Sequence, residues 1–352
     1  MSRFRSSRFA GLTAYVPGEQ PRDRRYIKLN TNESPYPPPE GVLAAVAAAA
    51  KGLNLYCDPT ALRLRESAAE VYGVTPDMVL PVNGSDEILN FAFMAFCDGN
   101  TPVAYPETSY GFYPVLADLH GIKKREIPLN EDFSIDPRDY FDLRCTVVIA
   151  NPNAPTGIAL GLDEVERIVA SNTDNVVIID EAYVDFGAES AVGLTRRYDN
   201  LLVTRTFSKS HSLAGARLGF GIACPELIAD LTAIKDSTNP YNVNAMTQMA
   251  GIAALRDNGY YMENCRRVAQ TREDTLKSLR ALGFEATASK SNFLFARHPE
   301  ISGGELYERL RERGILVRHF SKESIADYNR ITVGAPEEME ALIKAAGEIL
   351  GR

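Results

Sequence analysis

Residues 146–183 read TVVIANPNAPTGIALGLDEVERIVASNTDNVVIIDEAY. Two runs in this stretch, Thr146–Ala150 and Val176–Ile179, are short, rich in β-branched residues and apolar on both faces. Residues Asp163–Ala170, between them, have the pattern of a helix. Apolar runs that are separated by helices are typical of the buried strands of a parallel sheet. The stretch therefore predicts two neighbouring strands of an α/β fold.

Similar apolar runs recur on both sides of this stretch. They are Met78–Val82, Pro102–Tyr105, Ile122–Ile127, Leu201–Thr206 and Leu218–Ala223, and Glu87–Phe96 is a further helical stretch. We therefore predict a large domain with a mostly parallel seven-stranded sheet flanked by helices. Ligands of such sheets bind outside the carboxyl ends of the strands. The residues that follow the strands are thus the candidates for a functional site.

The chain divides into three parts by its pattern. Residues 1–34 contain little regular pattern, which predicts an arm that lies on the rest of the protein. Residues 35–243 form the large domain. Residues 244–352 form a smaller α+β domain that is joined by a long helix within 245–282. Its predicted strands are Asn292–Ala296, Ile315–Arg318 and Arg330–Val333.

Composition excludes several classes of protein. The 352 residues are 45% hydrophobic and 24% charged, with a formal net charge of −8, which is typical of a globular protein and argues against general nucleic-acid binding. No apolar run is long enough to span a bilayer, so no membrane partner is expected. The five cysteines and four histidines are scattered. We therefore expect no bound metal, and a reducing, cytoplasmic location.

The feature that points most directly to chemistry is Phe207-Ser208-Lys209-Ser210, which follows the strand Leu201–Thr206. A lysine that is partly removed from water at a strand end can act as a Schiff-base nucleophile. Arg217 follows eight residues later among small residues, which let the backbone approach a ligand. Taken alone, Lys209 is better interpreted as a solvated loop lysine, so the other strand ends decide between the two interpretations.

Three other predicted strands also end in polar residues. Val176–Ile179 is followed by Asp180 and Tyr183, and a buried carboxylate needs a cationic partner such as a protonated ring nitrogen. Thr146–Ala150 is followed by the polar turn Asn151–Gly157. Met78–Val82 leads through Gly84, Ser85 and Asp86 into a helix, whose exposed amides suit a phosphate. Together the four strand ends meet the requirements of pyridoxal 5′-phosphate.

These motifs resemble those of the fold type I, class I and II aminotransferases. The residues that carry the resemblance are Asn-Pro-Asn-Ala-Pro-Thr-Gly (151–157), Asp-Glu-Ala-Tyr (180–183) and Ser-Lys-Ser (208–210) with Arg217-Leu218-Gly219. A closer resemblance, to the histidinol-phosphate aminotransferases, is carried by Tyr15–Gly18, Leu29–Pro35, Tyr56–Pro59, Ser109–Gly111, Pro240–Asn244 and Arg330–Gly334. Two positions depart from the pattern. Ala154 stands where many relatives have a second asparagine, and Cys57 stands where a proline is frequent.

The resemblance implies a role for each matching residue. Lys209 would form the Schiff base and move the proton, while Asp180 would hold the ring nitrogen protonated. Tyr183 and Asn153 would bind the ring oxygen, and Tyr110 would stack on the ring. The phosphate would be held by Ser85, Asp86, Ser208 and Arg217, and by Tyr56 reaching from the partner subunit of a homodimer with shared active sites. The arm would then pack with the small domain and with the dimer partner.

The resemblance also implies the substrates, an amino donor and a 2-oxo acid. Arg330 would bind the carboxylate or the phosphate of the substrate, Tyr15 and Asn32 would contact it, and Arg318 is either a second anion-binding group or a surface arginine. The most similar activity transfers the amino group of L-histidinol phosphate to 2-oxoglutarate in histidine biosynthesis. A threonine-phosphate decarboxylase, or an aromatic or broad-specificity aminotransferase, is the alternative on the same scaffold.

Two polar residues next to these motifs have simpler predicted roles. His211 lies two residues after Lys209, but the proton transfers of this chemistry do not need it. It is predicted to pack near the site. Glu181 is predicted to belong to a structural ion pair.

Overall fold

The computed structural model describes residues 2–9 and 11–352. Its strands are β1 (Ile27–Lys28), β2 (Val79–Val82), β3 (Val103–Pro106), β4 (Lys124–Ile127), β5 (Thr146–Ala150), β6 (Val177–Asp180), β7 (Leu201–Thr206), β8 (Gly219–Ile222), β9 (Glu285–Ala286), β10 (Phe293–Arg297), β11 (Ile315–Leu316), β12 (Arg318–His319) and β13 (Asn329–Thr332). The α-helices are α1 (Glu40–Ala50), α2 (Leu62–Tyr72), α3 (Ser85–Phe96), α4 (Tyr113–His120), α5 (Leu162–Ser171), α6 (Pro225–Thr238), α7 (Ala245–Arg256), α8 (Asn258–Ala281), α9 (Gly303–Glu312) and α10 (Pro336–Ile349).

Within these described residues, seven strands form the largest sheet, in the order β2-β8-β7-β6-β5-β3-β4. β8 is antiparallel to both of its neighbours, and the other pairs are parallel. Each strand lies within two residues of the run that predicted it. The predicted α/β fold with a mostly parallel seven-stranded sheet is therefore confirmed.

The central strands are buried on both faces because their apolar residues point alternately to two helical layers. Val147 and Ile149 of β5 pack in one core cluster with α2, α5 and α7. Val148 and Ile178 pack on the opposite face with α3, α4 and α6. Side chains at the carboxyl ends of these strands therefore lie between two hydrophobic layers.

The C-terminal residues form a second sheet, antiparallel, in the order β12-β13-β10-β9. Its core contains Leu294, Leu306, Ile331 and Leu342, together with Leu29 of the N-terminal arm. Strand β1 of the arm pairs in parallel with β11. The arm is thus attached to the C-terminal part of the chain by backbone hydrogen bonds.

The predicted long helix within 245–282 is present as α8, but it is preceded in this range by a separate helix, α7. α7 ends at Arg256, and α8 begins at Asn258 after Asp257, whose backbone is not helical (φ −102°, ψ 28°). Asp, Asn and Gly are poor helix formers, and they follow one another at 257–259. α7 packs with the large sheet rather than with the C-terminal one. The predicted strand Ile315–Arg318 is likewise divided between β11 and β12.

A buried ionic network lies beneath the ends of β6 and β7. Arg205 donates to Glu181 at 3.0 Å and to Asp185 at 2.5 Å. His211 is buried and stacks on Phe207 with ring centroids 3.9 Å apart. Burial lowers the pKa of His211 to about 4, so its ring is neutral. Glu181 and His211 therefore have the structural surroundings that were predicted.

In the described part of the chain, no helix is both long and apolar enough to cross a membrane.

Gly219 allows β8 to lie directly against the start of α3. A Cβ at this position would lie 2.7 Å from the backbone nitrogen of Ser85 and 2.9 Å from the carbonyl oxygen of Arg205. Because these are backbone atoms, we expect Gly219→Ala to lower the free energy of unfolding by about 1–3 kcal/mol. Urea denaturation measures the change. Gly215→Ala is the control, since no atom lies within 4 Å of its added Cβ, and equal midpoints for the two variants would contradict the packing.

Candidate active site

A cavity of about 550 Å³ lies at the carboxyl ends of β5, β6 and β7, beneath residues of the C-terminal sheet and of the arm. Twelve of the fourteen site residues predicted from the sequence line it: Tyr15, Asn32, Ser85, Asp86, Tyr110, Asp180, Tyr183, Ser208, Lys209, Arg217, Arg318 and Arg330. Asn153 and Tyr56 do not line it.

Lys209 enters the cavity just beyond the end of β7. Its Nζ donates a hydrogen bond of 3.0 Å to the carbonyl oxygen of Thr31 and lies 6.0 Å from the centroid of the Tyr183 ring. Burial and the charge of Arg330 lower the pKa of Lys209 from 10.5 to about 8. A lysine with this pKa has much more neutral amine near neutral pH than an ordinary lysine, and the neutral amine is the nucleophilic and proton-accepting form.

Asp180 ends β6 with its carboxylate 4% exposed. Oδ2 accepts a hydrogen bond from the hydroxyl of Tyr113, and Oδ1 accepts one from Thr204, both at 2.9 Å. Burial raises the pKa of Asp180. Among residues 2–9 and 11–352, no cationic side chain forms an ion pair with it. A cationic group bound in the cavity would therefore complement this carboxylate.

Tyr183 is held by two residues from distant parts of the chain. Its hydroxyl oxygen accepts a hydrogen bond of 3.0 Å from Nδ2 of Asn32, and Oδ1 of Asn32 in turn accepts one from Thr332. The ring of Tyr183 packs edge-on against Phe293. The tyrosine proton remains available for donation to a ligand in the cavity.

An anion cradle forms where α3 begins. Ser85 and Asp86 are its first residues, and the side chain of Arg217 lies against the preceding Gly84. A Cβ at Gly84 would be 2.5 Å from a guanidinium nitrogen, so only glycine permits this approach. NH1 of Arg217 is 3.5 Å from the hydroxyl of Ser208. Helix amides, a guanidinium and a hydroxyl together form a typical phosphate site.

Arg330 reaches the cavity from β13. Its NH2 donates to the carbonyl oxygen of Asn30 at 3.0 Å. Its Nε is buried and has no hydrogen-bond partner in the described part of the chain. The guanidinium lies over the ring of Phe293 and near Phe320. A buried guanidinium with an unpaired N–H has a desolvation cost that a bound anion would offset. Arg330 is therefore a candidate anion-binding group.

Arg318 fixes the arm over the cavity. Its guanidinium donates to the carbonyl oxygens of Val16 and Pro17, both at 3.3 Å. Tyr15, which precedes them, lies edge-on to Tyr110 at 6.1 Å. Arg318 is therefore not a free surface arginine, because it joins the C-terminal sheet to the arm at the cavity wall.

Asn153 does not line the cavity. Its Nδ2 donates to the carbonyl oxygen of Thr108 and to Thr156, and its Oδ1 accepts from Ser109 at 2.7 Å. Ala154 lines the cavity instead. Both N–H groups of the Asn153 amide are thus used within the protein, and its contact with the ring oxygen of the cofactor stays a prediction.

Tyr56 lies on the molecular surface with 85% of its area exposed. Its ring stacks on Tyr241 with centroids 4.6 Å apart. Within a single chain it has no contact with the cavity.

Sequence reasoning missed several residues that shape the site. Tyr113 and Thr204 bind Asp180, while Lys322 lines the cavity and donates to Thr108 and to the carbonyl oxygen of Glu107. None belongs to a recognisable motif. Thr204 alone carried a signal, since it lies in a predicted strand beside the predicted strand that ends at Asp180.

Comparison with known proteins agrees with this geometry. Residues 24–345 match the family model described as aminotransferase class I and II. The histidinol-phosphate aminotransferase of Brachyspira hyodysenteriae is 48% identical over 346 residues, covering 98% of each chain. That of Gluconacetobacter diazotrophicus is 48% identical over 353 residues, covering 100% of this chain and 99% of the relative.

Solved structures show the same fold. The histidinol-phosphate aminotransferase of Sinorhizobium meliloti, in complex with pyridoxal-5′-phosphate, has a TM-score of 0.88 at 24% identity and covers 99% of both chains. That of Clostridium acetobutylicum has a TM-score of 0.83 at 25% identity, covering 92% of this chain and 99% of the other. By its sequence and its fold, this chain belongs to the aminotransferase class I and II family.

Proposed function

We propose that this protein is a pyridoxal 5′-phosphate-dependent aminotransferase that transfers an amino group between L-histidinol phosphate and 2-oxoglutarate. One observation carries the proposal: a half-buried lysine of lowered pKa, a buried carboxylate with no cationic partner among the described residues, and an anion cradle surround one cavity. The relatives named histidinol-phosphate aminotransferases support the choice of substrate.

The residues of the cavity fit this cofactor. The amides of Ser85 and Asp86, with Ser208 and Arg217, would hold its phosphate, where Gly84 leaves room for the guanidinium. Asp180 would pair with the ring nitrogen, Tyr183 would bind the ring oxygen, and Tyr110 would lie against the ring face. When bound, pyridoxal 5′-phosphate supplies an electron sink for the charge that develops on the substrate α-carbon.

The protein's own groups then perform three tasks. Lys209, as a neutral amine, would take the proton from the substrate α-carbon and return it. Asp180, as a carboxylate, would keep the ring nitrogen protonated. Tyr183, positioned by Asn32, would donate its hydroxyl proton in a hydrogen bond to the ring oxygen.

Substrate binding is assigned to cations contributed by the C-terminal sheet. Arg330 has an unused N–H for the carboxylate of glutamate or the phosphate of histidinol phosphate. Burial lowers the pKa of Arg330, and the charge of Arg318 acts in the same direction. Arg318 lines the same cavity, with Tyr15 and Asn32. Two neighbouring guanidinium groups suit substrates that are both anionic.

A homodimer with shared active sites is part of the proposal. Four large side chains in one region expose 41–85% of their area: Leu53, Leu55, Tyr56 and Tyr241. The first three are close in the chain, and Tyr241 stacks on Tyr56. Exposed large apolar side chains that adjoin one another mark interaction surfaces. A second copy that covered them could receive Tyr56 at its phosphate cradle.

Two further expectations belong with this proposal. Separate hydrophobic clusters around the two sheets support a large and a small domain with an N-terminal arm. Free cysteines, all but Cys57 buried, support a reducing compartment such as the cytoplasm.

The substrate assignment can be tested directly. We expect the holoenzyme to convert imidazole acetol phosphate and glutamate to histidinol phosphate and 2-oxoglutarate, because both substrates present an anion to Arg330. Chromatography of the products and coupled detection of 2-oxoglutarate measure this. Threonine phosphate and phenylpyruvate are the comparison substrates. Release of CO₂ from threonine phosphate would instead indicate a decarboxylase. Preferred turnover of phenylpyruvate would indicate an aromatic aminotransferase.

Arg330→Lys should weaken both half-reactions together. Lysine cannot reproduce the two parallel hydrogen bonds of a guanidinium, so kcat/KM should fall by roughly 2–4 kcal/mol, about 30- to 1,000-fold, for glutamate and for histidinol phosphate. Arg297→Lys is the matched control, because Arg297 lies in the same sheet but pairs with Glu285 outside the cavity. A loss confined to glutamate would assign the phosphate to another group, of which Arg318 is the first candidate.

Tyr56 should act in the active site of the partner subunit. Co-expressed Lys209→Ala and Tyr56→Phe chains form mixed dimers, in which the site with an intact Lys209 receives the intact Tyr56 of the other chain. The isolated mixed dimer has one such site for every two chains, so it should show about half of the wild-type activity per chain. Tandem affinity tags isolate the mixed dimer for the assay.

The control pairs Lys209→Ala with a chain that carries both substitutions, and it should show no recovery. Mixed dimers no more active per intact Lys209 than the Tyr56→Phe homodimer would place Tyr56 in the site of its own subunit.

A further inference from the structure

The Asp180 carboxylate is held by two hydroxyl groups from different elements. The Tyr113 hydroxyl, on the first residue of α4, donates to Oδ2 at 2.9 Å, and Thr204 of β7 donates to Oδ1 at 2.9 Å. Thr204 is the direct register partner of Asp180 in the parallel pair β6–β7. Each carboxylate oxygen therefore has a neutral donor of its own.

The surroundings of Tyr113 favour its hydroxyl as a hydrogen-bond donor to Asp180. The residue is fully buried, and its ring lies between the rings of Tyr105 and Tyr110, with centroids 5.9 and 5.6 Å away. Burial and the neighbouring Asp180 charge raise the pKa of Tyr113 well above its usual value. The hydroxyl therefore keeps its proton and acts as the donor in this hydrogen bond.

The other groups that face Asp180 do not replace these donors. The backbone N–H of Ala182 favours ionisation of the carboxylate, whereas the negative charge of Asp86 opposes it. The negative charge of Asp180 raises the pKa of Tyr183, after the larger effect of burial, but the Tyr183 hydroxyl is hydrogen-bonded to Asn32 and not to Asp180. Burial raises the pKa of Asp180, and the hydroxyls of Tyr113 and Thr204 are the largest of the effects that oppose the rise.

We propose that Tyr113 and Thr204 are positioning residues that keep the Asp180 carboxylate ionised and aimed at the ring nitrogen of the cofactor. The inference rests on the proposed role of Asp180 and adds the groups through which the fold controls it. Two donors disperse the negative charge and so lower the proton affinity of the carboxylate. With pyridoxal phosphate bound, a carboxylate of lower proton affinity would leave the proton on the ring nitrogen.

Tyr113→Phe tests this, because it removes one oxygen atom and keeps the ring packing. The holoenzyme is loaded with pyridoxal phosphate labelled with ¹⁵N in the ring, and NMR reports the protonation of that nitrogen. We expect its resonance to move toward that of an unprotonated pyridine. The kcat should fall about 10-fold or more, with KM for glutamate within about threefold of wild type.

Tyr105→Phe is the matched control. Tyr105 is a buried tyrosine beside Tyr113, but its hydroxyl faces Glu126 at 3.4 Å and not Asp180. This variant should leave the nitrogen resonance and kcat unchanged. A wild-type nitrogen resonance in Tyr113→Phe, or an equal change in Tyr105→Phe, would overturn the proposal for Tyr113.

Thr204 offers a second, independent pair of variants. Thr204→Val keeps the shape and removes the hydroxyl, and it should shift the nitrogen resonance in the same direction. Thr204→Ser keeps the hydroxyl and should restore the wild-type resonance. Equal resonances in the Val and Ser variants would overturn the role of Thr204.

Asp180→Asn separates this inference from the function on which it rests. A large loss of ring-nitrogen protonation in Asp180→Asn, with none in Tyr113→Phe and Thr204→Val, would overturn only the positioning role. A wild-type resonance in Asp180→Asn would overturn the proposed role of Asp180 itself.

Discussion

The in-register parallel pairing of β5, β6 and β7 is the constraint on which the site depends. Ala150 pairs with Asp180, and Asp180 pairs with Thr204. The strands therefore end side by side, and the polar segments that follow them enter the same cavity. A shift of one residue in β6 would turn Asp180 toward the opposite face of the sheet and remove its contact with Thr204.

The site contains charges whose partners in the protein are incomplete. Asp180 is buried with hydroxyl donors but no cation among the described residues, and Arg330 has a buried Nε without a partner. Lys209 has a lowered pKa for the same reason, which is removal from water. By contrast, the nearby Arg205 is fully paired with Glu181 and Asp185. Unpaired charges that face a cavity are more indicative of ligand binding than paired ones, because a ligand can offset their cost of desolvation.

The C-terminal sheet and the arm complete the cavity by contacts that cross between parts of the chain. Arg318 holds the carbonyl oxygens of Val16 and Pro17, and Lys322 donates to Thr108 beside β3. Pairing of β1 with β11 fixes the arm from which these carbonyls come. The cavity wall opposite the strand ends thus depends on the packing of the arm, the C-terminal sheet and the segment that follows β3.

The sequence by itself determined the large sheet and the core of the site. Apolar, β-branched runs predicted six of the seven strands, since burial on both faces leaves a local pattern that needs no knowledge of the neighbours. The edge strand β4 is mostly exposed, and it was predicted from a run that only begins and ends with isoleucine. The placement of Lys209, Asp180 and Ser85 at strand ends followed from the same pattern. Only the tertiary structure decided which polar groups meet, because hydrogen bonds join residues that are far apart in the chain. Tyr113 and Asp180 are 67 residues apart, and Asn32 and Tyr183 are 151 apart. The direction in which Asn153 points likewise depends on its three partners around the turn, and no periodicity in the sequence records it.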